Sequence, residues 1–233
     1  MTITSMLRRF TIGLIAALSL AAAASAAVAA EGRLYPSGPP NGVAYLRFVN
    51  LASQPVTVVS PAAKIAIPAD AEHRVREFDP VPPNNKLTGS VQLGSDSKPI
   101  DLTLKPNEFV TVAASAGADG LVLTVFREVP SDFNAMKSSL GLFNLDKNCS
   151  DAALVAGDQH QSVVSGVAPG AVGRRMVNPV NVELAAACGD PAQAVPAKLG
   201  ALVAGDRYSI FLTPSASGRQ VVAQRDEQAP FRP

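Results

Sequence analysis

A strand ending in Asn-Leu, a polar turn and a second strand occur twice in this chain, about ninety residues apart. That repetition constrains the fold more than any other feature. The first copy is Ala44-Tyr45-Leu46-Arg47-Phe48-Val49-Asn50-Leu51, the turn Ala52-Ser53-Gln54-Pro55, then Val56-Thr57-Val58-Val59. The second is Leu140-Gly141-Leu142-Phe143-Asn144-Leu145, the polar Asp146-Lys147-Asn148, then Ala152-Ala153-Leu154-Val155. A second landmark recurs in the same order. Leu102-Thr103-Leu104, the turn Lys105-Pro106-Asn107-Glu108 and the aromatic-led strand from Phe109 are echoed by Leu199 to Val203, the turn at Gly205-Asp206 and the strand from Tyr208. Apolar and β-branched runs bounded by Gly, Pro, Asn and Ser are what strands and tight turns require. We read one β-domain written twice. The competing reading is that any two all-β domains share such texture.

The rest of the chain fits that plan. Short alternating strands with turn signals every eight to twelve residues or so mark a sandwich or barrel, and no window keeps the i, i+3, i+4, i+7 pattern of a helix. The fold class expected is therefore all-β, two similar β-sandwich domains joined by a short linker. The first is expected over 43–128, the linker over 129–137 and the second over 138–225, with a flexible, proline-bearing tail at 226–233. Within the first, Arg74 to Phe78 reads as a strand and Asp79-Pro80-Val81-Pro82-Pro83 as a breaker. Within the second, Val180 to Ala187 and Leu199 to Val203 read as strands.

The N-terminus reads as an export signal. Arg8 and Arg9 precede an apolar run from Phe10 to Leu20, and the alanine-rich stretch to Ala30 offers small-x-small cleavage sites such as Ala27-Val28-Ala29. An uncleaved anchor is the competing reading of residues 1–30. Residues 31–42, with Pro36, Pro39 and Pro40, form an arm that cannot be a central strand, because proline withholds its amide donor. The whole chain carries 20 basic and 19 acidic side chains. Near-neutrality argues against nucleic acid and against an electrostatic grip on a polyanion. Cys149 and Cys188, an even count in an exported chain, are expected to form one disulfide, closing a loop that would stabilise by up to ~4 kcal/mol. Two unpaired buried thiols are the alternative.

Catalytic chemistry is hard to assemble from these residues. There are two histidines, His73 and His160, and no Gly-x-Ser-x-Gly elbow. Gly94-Ser95-Asp96-Ser97 reads as a hairpin turn. Gly157-Asp158-Gln159-His160 places an imidazole near a carboxylate with no nucleophile beside them in sequence. Metal-ligand spacing, phosphate loops and dinucleotide fingerprints are absent from the sequence, so no metal or cofactor is expected. Sugar binding would want flat aromatic faces, yet the chain has no Trp and three Tyr. Tyr45 and Tyr208 sit inside strand runs and read as core, whereas Tyr35 lies in the arm, where an aromatic suits docking.

These landmarks resemble the AlgF family, the periplasmic component of alginate O-acetylation. The resemblance is carried by Leu34-Tyr35-Pro36 with Pro39 and Gly42, by Ala44, Arg47, Phe48 and Asn50, and by Leu142-Phe143-Asn144-Leu145. Val177 followed by Asn178-Pro179-Val180 and Val182 completes it. It implies a periplasmic, non-catalytic adaptor that works beside acetyltransferase partners bearing the Ser-His-Asp chemistry. Leu34, Tyr35, Pro36, Arg47, Asn178 and Pro179 are then candidate partner-docking residues. The alternatives are a polysaccharide-binding module and a cryptic acetyl carrier or acetyltransferase. The cysteine pair departs from the expected family pattern, which leaves the polymer (alginate or a related one) open.

Overall fold

The computed structural model describes residues 42–130 and 133–230. The segment read as an export signal, nearly all of the proline-rich arm, including Leu34, Tyr35 and Pro36, and the last three residues lie outside the described residues. The first half contributes β1 (Ala44–Asn50), β2 (Val56–Val59), β3 (Lys64–Ile67), β4 (Asp79–Val81), β5 (Lys86–Leu93), β6 (Asp96–Thr103), β7 (Phe109–Gly117) and β8 (Gly120–Glu128). The second contributes β9 (Ser138–Asn144), β10 (Ala152–Ala156), β11 (Gln161–Val167), β12 (Val172–Val177), β13 (Leu184–Cys188), β14 (Val195–Ala197), β15 (Arg207–Ser215) and β16 (Gly218–Arg225). Among the described residues a single 3₁₀ turn, Pro191–Gln193, interrupts this all-β order.

Four sheets result, in two matching pairs. The orders β4-β1-β7-β8 and β3-β2-β5-β6 in the first half reappear as β12-β9-β15-β16 and β11-β10-β13-β14 in the second. Each strand of the second half takes the place of the strand eight earlier. Even the less common feature recurs, a parallel central pair: β1 with β7 and β9 with β15. The fold is thus all-β with two similar sandwiches, as expected.

The repeated Asn-Leu has a physical reason. Asn50 and Asn144 are both fully buried at the ends of β1 and β9. Asn50 Nδ2 donates to the carbonyls of Gln54, Ile67 and Pro68, and its Oδ1 accepts from the amide of Ala52. Asn144 Nδ2 donates to the carbonyls of Cys149 and Val167, and its Oδ1 accepts from the amide of Asp146. Each amide side chain closes the turn that carries the chain from one sheet of its sandwich to the other, satisfying buried backbone groups that no ladder reaches.

β1 and β9 are buried on both faces, which is why they read as continuous apolar runs rather than as alternating strands. Ala44, Leu46 and partly buried Phe48 face the first sandwich's own core with Leu102, Leu104, Val110 and Val112. Val49 faces the other way and packs with Phe126, Phe143 and Phe211, so the two central sheets lie against each other. Leu140 and Leu142 join the second sandwich's core with Leu154, Leu184, Ile210 and Leu212. Cys149 and Cys188 are bonded, 39 residues apart, and pin the entry of β10 to the end of β13.

Several local readings are corrected. Asp79-Pro80-Val81 is not a breaker but β4, because it is an edge strand, where a proline costs no ladder bond. Pro99 is accommodated on edge strand β6 in the same way. Arg74 to Phe78, expected as a strand, makes only isolated bridges, Val49 with Val75 and Phe78 with Gln228. The strand expected over Val180 to Ala187 begins only at Leu184. Leu199 to Val203 is irregular, with Gly200 at φ +70° and Leu202 tucked into the core, and the edge strand is β14 instead. The segment expected as a flexible tail begins inside the fold: the Phe78 amide donates to the Glu227 carbonyl, and the Ala229 amide donates back to the Phe78 carbonyl.

Candidate functional site

The chain's most concentrated polar chemistry lies in the seam between the two central sheets. Sheet registers fix which residues correspond across it. Tyr45 of β1 pairs with Phe109, and Ser139 of β9 pairs with Arg207, so Phe109 answers to Arg207 rather than to Tyr208 as the sequence echo suggested. Phe109 opposes Glu128 on β8, and Arg207 opposes Asp226 at the end of β16, so the two acids are equivalent. By the same registers Arg47 answers to Gly141. Phe78, which adjoins Arg47 at the start of β4, answers to Arg174, which pairs with Gly141. Each half therefore supplies one arginine from its β1-like or β4-like strand and one carboxylate from its closing strand.

The pairs cross. Arg47, with no exposed surface, donates through Nη1 to Asp226 Oδ1 at 2.7 Å, through Nη2 to Ser209 Oγ at 2.7 Å and through Nε to Thr111 Oγ1 at 3.0 Å. Its guanidinium also lies 4.1 Å from the ring centroid of Phe78. Arg174 donates through Nε and Nη2 to the two oxygens of Glu128 at 2.6 and 3.2 Å, a bidentate geometry. Its Nη1 reaches the carbonyl of Tyr208 at 3.2 Å. Arg174 fits because position 141 is glycine: a Cβ there would overlap its guanidinium.

The titration of these groups follows from their placement. Burial pushes the Asp226 carboxyl up, but Arg47, Arg174 and Arg207 together outweigh it and hold the group below the usual carboxylate range. Burial likewise opposes the charge on Arg174, and Glu128 and Asp226 more than restore it. Arg207 is the exception. Burial, reinforced by neighbouring Arg174, pulls its guanidinium down to about 10. It lies 3.9 Å from Glu128 and 4.0 Å from Asp226, and its Nε and Nη2 are buried without a hydrogen-bond partner.

Of the residues singled out from sequence, Arg47 is a wholly interior member of this seam. Asn178 and Pro179 are exposed just after β12, next to Val180, itself 49% exposed. Tyr45 and Tyr208 are buried, as read. His160 stands on an exposed turn at φ 49°. His73 is also exposed, and its Nδ1 lies 2.8 Å from Asp70 Oδ1, holding that carboxyl below its ordinary range. Among the described residues, no group of three or more His, Cys, Asp or Glu is placed to hold a metal. Sequence reading missed Glu128, Arg174, Arg207 and Asp226. The available signal was the shared hairpin plan of β7–β8 and β15–β16, which puts an acid at the same position of each.

Comparison with known proteins bears on most of the chain. The family described as Alginate O-acetyl transferase AlgF matches residues 16–208, most of the sequence. This chain belongs to the AlgF family. An alginate biosynthesis protein AlgF from Pseudomonas aeruginosa (strain PAO1) is 31% identical over 171 residues, covering 72% of this chain and 72% of its own. The AlgF protein of Pseudomonas fluorescens is 28% identical over 219 residues, covering 93% and 94%. Among solved structures, a candidate cell adhesion protein from Bacteroides uniformis covers 83% of this chain and all of its own at 11% identity. Its TM-score is 0.27, too low to carry an argument.

Proposed function

We propose that this AlgF-family chain is an exported, non-catalytic adaptor for O-acetylation of an alginate-type exopolysaccharide, acting in the periplasm through contacts with acetyltransferase components. Family membership supports the role in alginate O-acetylation. The adaptor reading rests on how the polar chemistry is used. Arg47, Arg174, Glu128 and Asp226 are spent on crossed ion pairs, Arg47 with Asp226 and Arg174 with Glu128, that hold the two sandwiches together. Both imidazoles lie on exposed turns, and neither ring is hydrogen-bonded to a Ser or Thr hydroxyl among the described residues. Residues 43–128 and 138–225 act as two domains linked by 129–137, and the seam keeps their outer surfaces at a fixed spacing.

Of the docking candidates Leu34, Tyr35, Pro36, Arg47, Asn178 and Pro179, we propose that the arm residues and exposed Asn178 and Pro179, beside Val180, meet the partner, while buried Arg47 serves the seam. A tagged mature protein should recover an acetyltransferase component from periplasmic extract. Replacing Asn178, Pro179 and Val180 together by Ala, Ala and Asp should weaken recovery, and the purified protein should not hydrolyse a model acetyl ester. Recovery of the bait alone would count against the adaptor.

A second reading has one observation of its own. The His73–Asp70 pair is an oriented imidazole–carboxylate, the kind of unit that supports acyl chemistry. If the chain carries or transfers acetyl groups, His73→Ala or His160→Ala in a folded protein should abolish polymer acetylation. The adaptor reading expects both variants to keep it.

A further inference from the structure

Among the described residues, four sheets of four strands leave eight edges, and an unpaired edge offers a row of backbone donors and acceptors to any extended chain. Most of these edges are blunted. β4 and β14 are three residues long and carry Pro80 and Pro196, β3 is four residues long, and β6 carries Pro99. β11 is bulged against β10. β8 is tied to β6 near both ends, by the Leu121 amide on Asp96 Oδ2 and by Arg127 Nη1 on the Thr103 carbonyl. β12 is six residues long and faces the end of β8 through the Arg174–Glu128 pair. β16 has none of these devices. It is eight residues long, without proline, and its register with β15 is unbroken from Gly218 to Arg225.

The register shows which groups of β16 are free. The Asp226 amide donates to the Arg207 carbonyl, so even-numbered residues bond to β15, and the alternation of an antiparallel ladder turns the amides of Val221 and Ala223 outward. Among the described residues, no backbone bond reaches that outer side. Both residues belong to the run Gln220 to Ala223, which lines a groove of about 540 Å³. Across it stand Arg74 and Lys198, with no acid on the wall among the described residues. Arg74 is bonded to the carbonyls of Ala69 and Asp70, and the Asp70 carboxylate is taken by His73 and by two amides. β14 borders the groove as well, but Pro196 has no amide hydrogen with which to close on β16.

We infer that the outer edge of β16 accepts an extended, acidic segment of another protein as an added strand. The backbone of such a segment pairs with Val221 and Ala223, and its carboxylates meet Arg74 and Lys198. A second copy of this chain is the poorer occupant, because pairing two β16 edges would set both copies of Arg74 and Lys198 in one groove. The edge is independent of the adaptor reading: partner recovery through Asn178 and Pro179 does not need it, and it takes a strand whatever protein supplies one.

The test titrates the purified mature protein with two synthetic peptides, one alternating valine and glutamate and the other alternating valine and lysine. Backbone NMR and hydrogen exchange follow the amides of Val221 and Ala223. The glutamate peptide should shift both saturably and slow their exchange, and the lysine peptide should bind about tenfold more weakly or worse. Ala223→Pro removes an outward donor without touching the β15 ladder and should weaken the glutamate peptide about tenfold. Lys198→Glu should narrow the gap between the two peptides. If Ala223→Pro does not fold, Lys198→Glu and the wild-type amides decide the question. No saturable shift at Val221 and Ala223 overturns the site, as does an equal grip on both peptides or unchanged affinity in a folded Ala223→Pro. A concentration-dependent dimer that slows the same amides without peptide would assign the edge to a second copy and overturn the acidic partner.

Discussion

Arg47 and Asp226 stand 179 residues apart in sequence and 2.7 Å apart in space, both almost wholly buried. The first belongs to the opening strand and the second follows the last, so one ion pair joins the two ends of the described fold. Arg174 and Glu128 make the reciprocal bond between the halves. The sandwiches are therefore held by paired charges set among Phe78, Phe126, Phe143 and Phe211 as well as by apolar contact.

Breaking one member of such a pair leaves its partner buried and uncompensated. Arg47→Met is expected to destabilise by about 3–5 kcal/mol, whereas Arg47→Met with Asp226→Leu should recover much of the loss. Denaturant unfolding of both singles and the double measures the coupling. Strictly additive losses would refute a specific pair.

Acid should find the same group. The Asp226 carboxyl is held below its unfolded value of about 3.9, so its contribution is fully present above that pH and is lost as pH falls through the folded value. Unfolding free energy should accordingly drop below about pH 4, with a shallower slope in Asp226→Asn. Equal slopes in the two proteins would mean that Asp226 does not drive the acid limb.

Arg207 has the opposite sign. Its folded value of about 10 lies below the ordinary arginine value, so at neutral pH its charge costs stability, and the cost is relieved only as pH rises through about 10. In carboxylate-free buffer at pH 7, Arg207→Met should be as stable as the wild type or more so, by thermal midpoint. A clear loss would show that its contact over the Phe109 ring, 4.9 Å away, outweighs the buried charge.

Gly141→Ala forces the Arg174 guanidinium off its seat and loosens its grip on Glu128. The expected loss is about 1–3 kcal/mol, as for overpacking generally. It should shrink in an Arg174→Leu background, because the clash involves that side chain. An undiminished loss there would place the strain elsewhere.

The disulfide gives a chemical check. Intact mass after alkylation should show no labelled thiol without reductant and two after reduction, and reduction should cost up to ~4 kcal/mol for the 39-residue separation. Two labels before reduction would refute the bond.

Much of the architecture was legible because it is local and repeated. Asn50 and Asn144 announce the same turn, and short punctuated runs announce the sheets. β4 was not legible, since proline tolerance depends on being at an edge, and edges are decided by strands far away. β14 was hidden for a similar reason: Val195-Pro196-Ala197 is short and broken by a proline, while Leu199 to Val203 is the longer apolar run and buries Leu202 without forming a strand. The seam was the least legible part. Arg47 drew attention as a docking candidate through the family resemblance alone, and its carboxylate partner sat in a stretch that reads as a tail.

The doubly buried β1 also bears on how the chain must come together. Until the second half folds against it, the first sandwich presents Arg47, Val49 and the ring of Phe126 without the cover that Phe143, Phe211 and Asp226 supply. A chain still emerging, or one cut short before its second half, would carry an adhesive, charged face on an otherwise finished half. Completion of the polypeptide is thus what turns that half from a sticky object into a quiet one, and early termination should appear as aggregation rather than as a missing activity.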